Sequence, residues 1–272
     1  MMRQNNIHNN QIHPLSIVQM NDVSASYDSK NNILRNIRLS IQRGTNYAIV
    51  GQSGSGKSTL LKLINGMMNP SNGIVKVNYQ TPNFREKSFK KFVAKIGYIP
   101  QNLGLVKNTT VLENVMIGAL PRLGSFKSFF KIFPDKEIAD AYNILKMVGL
   151  DDKAERKTYM LSGGERRRVA IARALMQKPD LLLADEIVSE LDHVTAVEIM
   201  DVIADAQKKF ELTSIMVHHD MSLALEYANR VAVIKNGEKV LEIGVEGDEI
   251  VDFQTGNLTQ KEILEQYNES EK

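Results

Sequence analysis

Apolar and polar residues alternate with period two near the start of the sequence. The segments SIVQMNDVSASY at 16 to 27 and IRLSI at 37 to 41 show this alternation, which predicts two antiparallel strands. A continuous apolar run, YAIV at 47 to 50, then leads into the glycine-rich segment GQSGSGKST at 51 to 59. The N-terminal part of the chain is therefore predicted to be rich in β-structure.

Helical spacing dominates the middle of the sequence. Apolar residues recur at three and four in TVLENVMIGAL and in DKEIADAYNILKMVGL, so the region from about 103 to 165 is predicted to be an all-helical insert. Beyond it, predicted helices at 165–177, 194–208 and 221–228 alternate with the predicted strands LLLAD and SIMVH, and a hairpin turns at Asn236 and Gly237. This alternation predicts an α/β fold with a mostly parallel sheet.

Composition narrows the class of protein. The chain has 272 residues, with 34 basic against 32 acidic residues, so its charge gives no reason to expect a nucleic-acid partner. It has no cysteine, which excludes disulfides and thiolate chemistry. The longest apolar runs are far shorter than the roughly 18 residues of a membrane-spanning helix. We expect a disordered polar leader at 1–15, one domain at 16–246 and a short helical or polar tail at 247–272.

The first glycine-rich loop has the chemistry of a phosphate site. It fits the pattern G-x-x-x-x-G-K-[ST], follows a predicted strand and opens a predicted helix. Glycines let consecutive backbone N–H groups point at a polyphosphate, Lys57 would hold its β and γ phosphates, and Ser58 would place a hydroxyl on Mg²⁺. A simple glycine-rich turn would leave the embedded lysine unexplained. The predicted nucleotide-binding residues are Gly51, Gln52, Ser53, Gly54, Ser55, Gly56, Lys57, Ser58 and Thr59.

Two acids and two histidines follow predicted strands of the same sheet. Asp185 and Glu186 end the strand LLLAD, and HHD at 218 to 220 follows SIMVH. Parallel strands deliver such side chains to one edge of the sheet. We expect Asp185 to hold Mg²⁺ and Glu186 to polarise an attacking water. The alternative is that these adjacent acids only cap the next turn. The intact phosphate loop in the same sequence favours the catalytic interpretation.

A second pair of glycines opens another predicted helix. Ser162, Gly163 and Gly164 place unpaired N–H groups and a hydroxyl at a helix N-terminus, which is a second candidate anion site. Ser162 with Glu165 three residues later is equally a capping box, which needs no ligand. The residues alone leave both interpretations open.

The three motifs together resemble the ATP-binding cassette family, over roughly residues 16 to 245: the phosphate loop, LSGGE and LLLADE. The resemblance implies a P-loop NTPase fold with an N-terminal antiparallel β subdomain and an all-helical insert that carries the LSGGE signature. It also implies ATP and Mg²⁺ as cofactors and a head-to-tail pairing with a second copy of the chain. Ser162, Gly163 and Gly164 would then contact the ATP held by the partner.

Further site residues follow from this resemblance alone. Tyr27 matches the aromatic residue that stacks on adenine, and Gln101 in YIPQN matches the glutamine that contacts metal and water. Asp192 matches the acid of the loop that crosses the dimer, and its role is contact with ATP in trans. His219, which directly precedes an aspartate, matches the histidine on the γ-phosphate. Glu186, His219 and Gln101 are thus the predicted catalytic residues, and Ser58, Gln101 and Asp185 the predicted metal ligands.

Two segments add detail to the resemblance. The chain departs from the family pattern at Ile187, Glu190 and His193, all in the loop after the catalytic glutamate. The segment FKSFFKIF places Phe126, Phe129, Phe130 and Phe133 on one helical face, which belongs either to the core or to a docking surface for a membrane subunit.

Within the family, the chain looks more like the ATPase subunits of phosphonate importers than those for amino acids or sugars. The segments that carry this likeness are ENVMIGAL, the phenylalanine-rich segment, GL, LSGGE, VAIARALMQKP and LADE. This implies transport of a phosphonate, phosphite or phosphate, with separate transmembrane permease subunits and, indirectly, a periplasmic or extracellular substrate-binding protein. The chain would then lie peripherally on the cytoplasmic face of the inner membrane. The alternatives are a cassette of a lipoprotein or drug exporter, and a soluble cassette ATPase of translation or DNA repair.

Overall fold

The computed structural model describes residues 16–28, 31–123 and 133–246, together with the backbone of 249–252 and 256–258. The leader expected at 1–15 and three of the four phenylalanines, Phe126, Phe129 and Phe130, lie outside these residues. In the described part of the chain, no helix has the length and hydropathy needed to cross a membrane.

Strands and helices alternate along most of the described chain. The strands are β1 (Ser16–Ser26), β2 (Asn32–Gln42), β3 (Asn46–Val50), β4 (Asn72–Val77), β5 (Ile96–Ile99), β6 (Leu181–Asp185), β7 (Thr213–His218), β8 (Arg230–Lys235), β9 (Glu238–Glu246), β10 (Glu249–Asp252) and β11 (Gly256–Leu258). The helices are α1 (Lys57–Ile64), α2 (Phe89–Val93), α3 (Val111–Ile117), α4 (Asp135–Met147), α5 (Gly163–Met176), α6 (His193–Phe210) and α7 (Met221–Tyr227). Short 3-10 turns lie at Leu120–Arg122, Asp151–Lys153 and Thr158–Met160.

The strands form two sheets. In one, β1 pairs antiparallel with both β2 and β4, as the period-two alternation predicts. The other has the order β11-β10-β9-β8-β3-β7-β6-β5, in which β8, β3, β7, β6 and β5 run parallel and β9 to β11 continue antiparallel. The predicted α/β fold, with a mostly parallel core and an N-terminal antiparallel subdomain, is confirmed.

The two faces of the larger sheet pack into different parts of the core. Leu181 and Leu183 face a cluster shared with α1 and the antiparallel sheet, whereas Leu182 and Ala184 face the cluster around α5 and α6. This alternation along one strand is the expected period of two for a sheet covered on both sides. Phe133 packs partly buried against the cluster around α5, so this residue belongs to the core.

Three details differ from or refine the sequence predictions. Helix α1, the helix predicted to follow the phosphate loop, ends at Ile64, and Gly66 with a φ of 73° lies just beyond its C-terminus. The final hairpin turns at Asn236 and Gly237, both with positive φ, as predicted. The helical part of the tail prediction is wrong where the backbone is described, because residues 249–252 and 256–258 form strands that extend the sheet.

Candidate active site

The four parallel strands β3, β7, β6 and β5 end at the same edge of the sheet. The phosphate loop follows β3, and Gln101 follows β5. Asp185 and Glu186 lie at the end of β6, and His219 follows β7. One sheet edge therefore gathers the predicted phosphate, metal and catalytic groups, as parallel topology requires.

Close packing explains the glycines of the phosphate loop. A Cβ on Gly51 would lie 2.2 Å from the Ile234 carbonyl oxygen, and one on Gly56 would lie 2.6 Å from Leu34 Cδ2. Gly54 and Gly56 also have φ values of 81° and 108°, which glycine adopts without strain. The loop is thus held against neighbouring strands, and Gly56 leads directly into α1.

Lys57 is a buried cation at the centre of the site, with 3% of its surface exposed. Its ammonium donates to the carbonyl oxygens of Gly51 at 2.7 Å and Gln52 at 2.8 Å, and it lies 3.7 Å from Glu186 Oε1. Burial lowers the pKa of Lys57, and the Glu186 and Asp185 carboxylates oppose that shift. An anionic ligand at this loop would meet a positive charge that water screens poorly.

Ser58 and Asp185 bring two hard oxygen donors together. The Ser58 hydroxyl donates to Asp185 Oδ1 at 3.0 Å, and Asp185 is 5% exposed. Burial raises the pKa of the Asp185 carboxyl, whereas the hydrogen bond from Ser58 opposes the shift. The described residues contain no cluster of three or more His, Cys, Asp or Glu side chains fit to enclose a metal. Such a sparse oxygen set fits Mg²⁺, which completes its shell with water and phosphate oxygens.

Glu186 contacts both of the other predicted catalytic side chains. Its Oε2 accepts a hydrogen bond of 3.0 Å from Gln101 Nε2, and its Oε1 lies 2.6 Å from His219 Nε2. The other ring nitrogen of His219, Nδ1, is 3.2 Å from the Gly51 carbonyl oxygen. The structure therefore places all three predicted catalytic side chains together, beside the phosphate loop.

Tyr27 lies beside the phosphate-loop helix and is largely exposed. Its hydroxyl is 3.5 Å from Thr59 Oγ1, and the Lys62 ammonium donates to it at 3.1 Å. The Thr59 contact, with smaller effects from Lys62, lowers the pKa of the Tyr27 phenol. The ring is thus available for stacking next to the loop that would hold the phosphates.

The LSGGE segment forms a capping box. Ser162 Oγ accepts from the Glu165 N–H at 3.2 Å, and Glu165 Oε2 accepts from the Ser162 N–H at 2.7 Å. Asp192 caps α6 without such a box: its Oδ1 accepts a hydrogen bond from the Thr195 N–H at 3.0 Å. Both caps line one cavity of about 480 Å³, together with Gly163 and Gly164. The structure therefore brings together the four residues assigned to ATP in trans.

The sequence placed His218 at this sheet edge without assigning it a role, and it did not single out Arg167. His218 is buried, and burial lowers its pKa to about 4. Arg167 of α5 donates to backbone carbonyls in the loop that follows Glu186. No signal in the sequence identifies either role, because the first depends on tertiary burial and the second on carbonyl groups that every residue carries.

The fold and this site together define a P-loop protein that binds and hydrolyses nucleotides. A family model described as ABC transporter matches residues 34–189, which is more than half of the chain. A phosphonates import ATP-binding protein of Lactococcus lactis is 39% identical over 225 residues, covering 82% of this chain and 92% of that protein. One of the same description from Alcaligenes faecalis is 37% identical and covers 82% of each chain.

Solved structures agree with these sequence matches. The cassette cbiO1 from Clostridium perfringens superposes with a TM-score of 0.75 and 30% identity, covering 85% of this chain and 89% of that one. A dimeric, post-hydrolysis ATP-binding cassette bound to ADP and Pi has a TM-score of 0.74 and 31% identity, covering 85% and 99%. The chain belongs to the ABC transporter family and is an ATPase cassette of that family.

Proposed function

We propose that this chain is the ATP-hydrolysing, energy-coupling subunit of an importer for phosphonates or a related phosphorus oxyanion such as phosphite or phosphate. The position of Glu186 carries the ATPase part of the proposal, because its carboxylate lies between Gln101 and His219 and beside Lys57. The names of the relatives from Lactococcus lactis and Alcaligenes faecalis support the cargo.

Each polar group of the site has a role in phosphoryl transfer. The backbone of residues 51–59 and the Lys57 ammonium bind the phosphates, and Tyr27 stacks on the adenine. Ser58, Asp185 and Gln101 would hold Mg²⁺, which when bound neutralises charge on the phosphate oxygens. Glu186 orients and polarises the attacking water, and His219 contacts the γ-phosphate.

Binding of ATP would also change the partners of Glu186. In the structure its carboxylate faces two groups that phosphates attract, Lys57 at 3.7 Å and His219 at 2.6 Å. A γ-phosphate competes for both, because its charge is larger than that of one carboxylate. Nucleotide binding would thus release the base to face water.

The partners of the proposed importer follow from the family. Two copies of the chain would enclose two ATP molecules head to tail, each between one phosphate loop and the partner's Ser162, Gly163, Gly164 and Asp192. Transmembrane permease subunits would dock on the helical insert and near Gln101, which places the chain at the cytoplasmic face of the inner membrane. A periplasmic or extracellular binding protein would deliver the cargo.

Glu186→Gln tests the catalytic assignment. This variant should bind Mg·ATP with an affinity close to that of the wild type, lose turnover by about 10²- to 10⁴-fold, and accumulate as an ATP-bound dimer. The matched control is Asp180→Asn. Asp180 precedes β6 at the end opposite Glu186, and its carboxylate pairs with Lys95 at 3.4 Å. Steady-state ATPase assays and light scattering measure both effects. Wild-type turnover in Glu186→Gln would refute the role of this base.

Uptake measurements test the cargo. A strain lacking only this gene should fail to take up one radiolabelled phosphonate or phosphite while still growing on phosphate, and the restored gene should recover uptake. Unchanged uptake of phosphonate, phosphite and phosphate would refute the import of phosphorus compounds. Capture of the membrane subunits would then show whether the cassette drives lipoprotein or drug export, and the absence of any would favour a soluble ATPase.

A further inference from the structure

The turn after Glu186 has a backbone conformation that L-amino acids disfavour. Glu186 has a φ of 51° and Glu190 a φ of 64°, so two non-glycine residues of the same loop lie in the left-handed region. Such residues persist only where neighbouring groups hold them. Ser189 supplies two of these contacts, because its backbone N–H and its side-chain hydroxyl both donate to the Glu186 carbonyl oxygen, at 3.1 and 2.7 Å.

Arg167 of α5 supplies the other contacts. Its Nε donates to the Ile187 carbonyl oxygen, and its Nη2 donates to the Ser189 carbonyl oxygen at 2.8 Å. The planar guanidinium presents its donors in a fixed fork that meets both carbonyls of this turn, whereas an ammonium would have to reach both from a single nitrogen. Burial lowers the pKa of Arg167, and the nearby Glu190 carboxylate opposes that shift. The departure from the family pattern at Glu190 thus places a negative charge close to this arginine.

The same guanidinium also reaches the signature segment. Arg167 Nη1 donates to the Gly163 carbonyl oxygen at 3.4 Å, and Gly163 begins the helix that would face the partner's ATP. The two sequence neighbours of Arg167 make other contacts. Arg166 donates to the Leu161 carbonyl oxygen at 2.6 Å, and Arg168 pairs with Glu198. Among these three arginines, only Arg167 is seen to bridge the signature segment and the loop of the catalytic base.

We propose that Arg167 is a positioning residue that transmits contact between the signature segment and the partner's ATP to the orientation of Glu186. It acts through the 187–189 turn and not by contact with the nucleotide of its own site. When the signature helix shifts on meeting the partner's ATP, the guanidinium moves the carbonyls of Ile187 and Ser189 with it, and Ser189 is bonded to Glu186. The proposal rests on the head-to-tail dimer proposed above.

Two variants of Arg167 test this inference in the purified full-length protein. Arg167→Met keeps the apolar stem and removes every donor, so we expect a fall in kcat of about 10- to 100-fold, the effect typical of a misplaced catalytic group. The Hill coefficient for ATP should fall to about 1, because each site no longer reports to the other. Arg167→Lys keeps the positive charge and hydrogen-bond donors but lacks the planar fork, so it should recover part of both values.

Three measurements separate positioning from general damage. The Kd for ATP measured without Mg²⁺ should stay within about twofold of the wild-type value in Arg167→Met, because Arg167 is absent from the contacts of the phosphate loop. Arg166→Met removes a guanidinium from the same helical turn and should leave kcat and the Hill coefficient unchanged. The double variant Arg167→Met, Glu186→Gln should still form the ATP-bound dimer.

Each opposite outcome identifies a different failure. A Glu186→Gln protein that stays monomeric with ATP refutes the head-to-tail arrangement and this inference with it. A Glu186→Gln dimer, together with wild-type kcat and Hill coefficient in Arg167→Met, refutes the role of Arg167 alone. Activity that falls only in proportion to the folded fraction, with an unchanged Hill coefficient, assigns Arg167 to stability and overturns the proposal. Loss of the dimer in the double variant would place its effect at the signature segment instead.

Discussion

Replacing His218 with leucine should make the fold less sensitive to acid. The imidazole is 3% exposed at the end of β7, and neither ring nitrogen has a hydrogen-bond partner among the described residues. Burial lowers its pKa from 6.5 to about 4, the Asp220 carboxylate opposes the shift, and His219 adds to it. A neutral imidazole is therefore tolerated in this position, whereas a charged one is strongly disfavoured.

The sign and size of the effect follow from these two pKa values. In the unfolded chain His218 binds a proton below about pH 6.5, whereas the folded protein resists protonation down to about pH 4. Protonation therefore favours the unfolded state, so stability is retained above pH 6.5 and is lost as the pH falls towards 4. The loss amounts to about 2 kcal/mol between pH 7 and pH 5, and to about 3 kcal/mol once the pH is below 4.

Urea unfolding at pH 7, 6 and 5 measures this effect. Other groups titrate in the same range, so the informative quantity is the difference in unfolding free energy between His218→Leu and the wild type. That difference should shift by about 2 kcal/mol in favour of the variant from pH 7 to pH 5. Leu223→Val is the matched control, because Leu223 lines the same cavity of about 200 Å³ and does not titrate. It should cost roughly 1 kcal/mol at every pH.

Parallel pH profiles of the wild type and His218→Leu would refute this reasoning. They would mean that the buried imidazole finds a partner for its proton, through water or a local rearrangement. A shift of the opposite sign would mean that the folded state binds the proton more tightly than the unfolded chain, which contradicts a pKa set by burial.

Two further variants test the packing of the fold by urea unfolding. Gly118→Ala should lower the free energy of unfolding by about 1–3 kcal/mol, because a Cβ at this position would lie 2.1 Å from the Arg173 carbonyl oxygen, between α3 and α5. An unchanged urea midpoint would show that the two helices separate freely. Tyr47→Phe should lower the free energy of unfolding by about 1.5–3 kcal/mol, because the buried hydroxyl donates to Glu242 Oε1 at 2.8 Å. An unchanged stability would mean that the other partners of Glu242 satisfy its carboxylate.

The phosphate loop and the acids at the end of β6 could be located from the sequence. Their chemistry lies within short contiguous segments, and parallel topology brings the ends of the strands to one edge. Gln101 and His219 follow different strands, and the family resemblance was needed to assign them. The structure then places both within 3.0 Å of Glu186.

The LSGGE segment shows why a sequence can leave two interpretations open. The capping box predicted from Ser162 and Glu165 is present, with the Glu165 N–H as its donor. That cap does not use the N–H groups of Gly163 and Gly164, which remain at the helix N-terminus. Capping and anion binding therefore use different groups of the same helix end and do not exclude each other.

The loop at 186–190 and the strands β10 and β11 could not be predicted. The loop depends on a guanidinium about twenty residues earlier in the chain and on carbonyl acceptors, neither of which follows a side-chain pattern. The two strands are four and three residues long, and their pairing with β9 extends an existing sheet. Segments of this length have too few positions to show an alternation.

Helix α5 connects these separate observations. Arg167 in its first half holds the turn after Glu186, and Arg173 in its second half donates to the carbonyl oxygens of Leu103 and Gly104, just after Gln101. Gln101 and Glu186, whose side chains meet at 3.0 Å in the site, are thus each followed by a loop that is bonded to α5. The proposal for Arg167 therefore predicts that a displacement at the signature end of α5 reaches both loops, because both are bonded to the same helix.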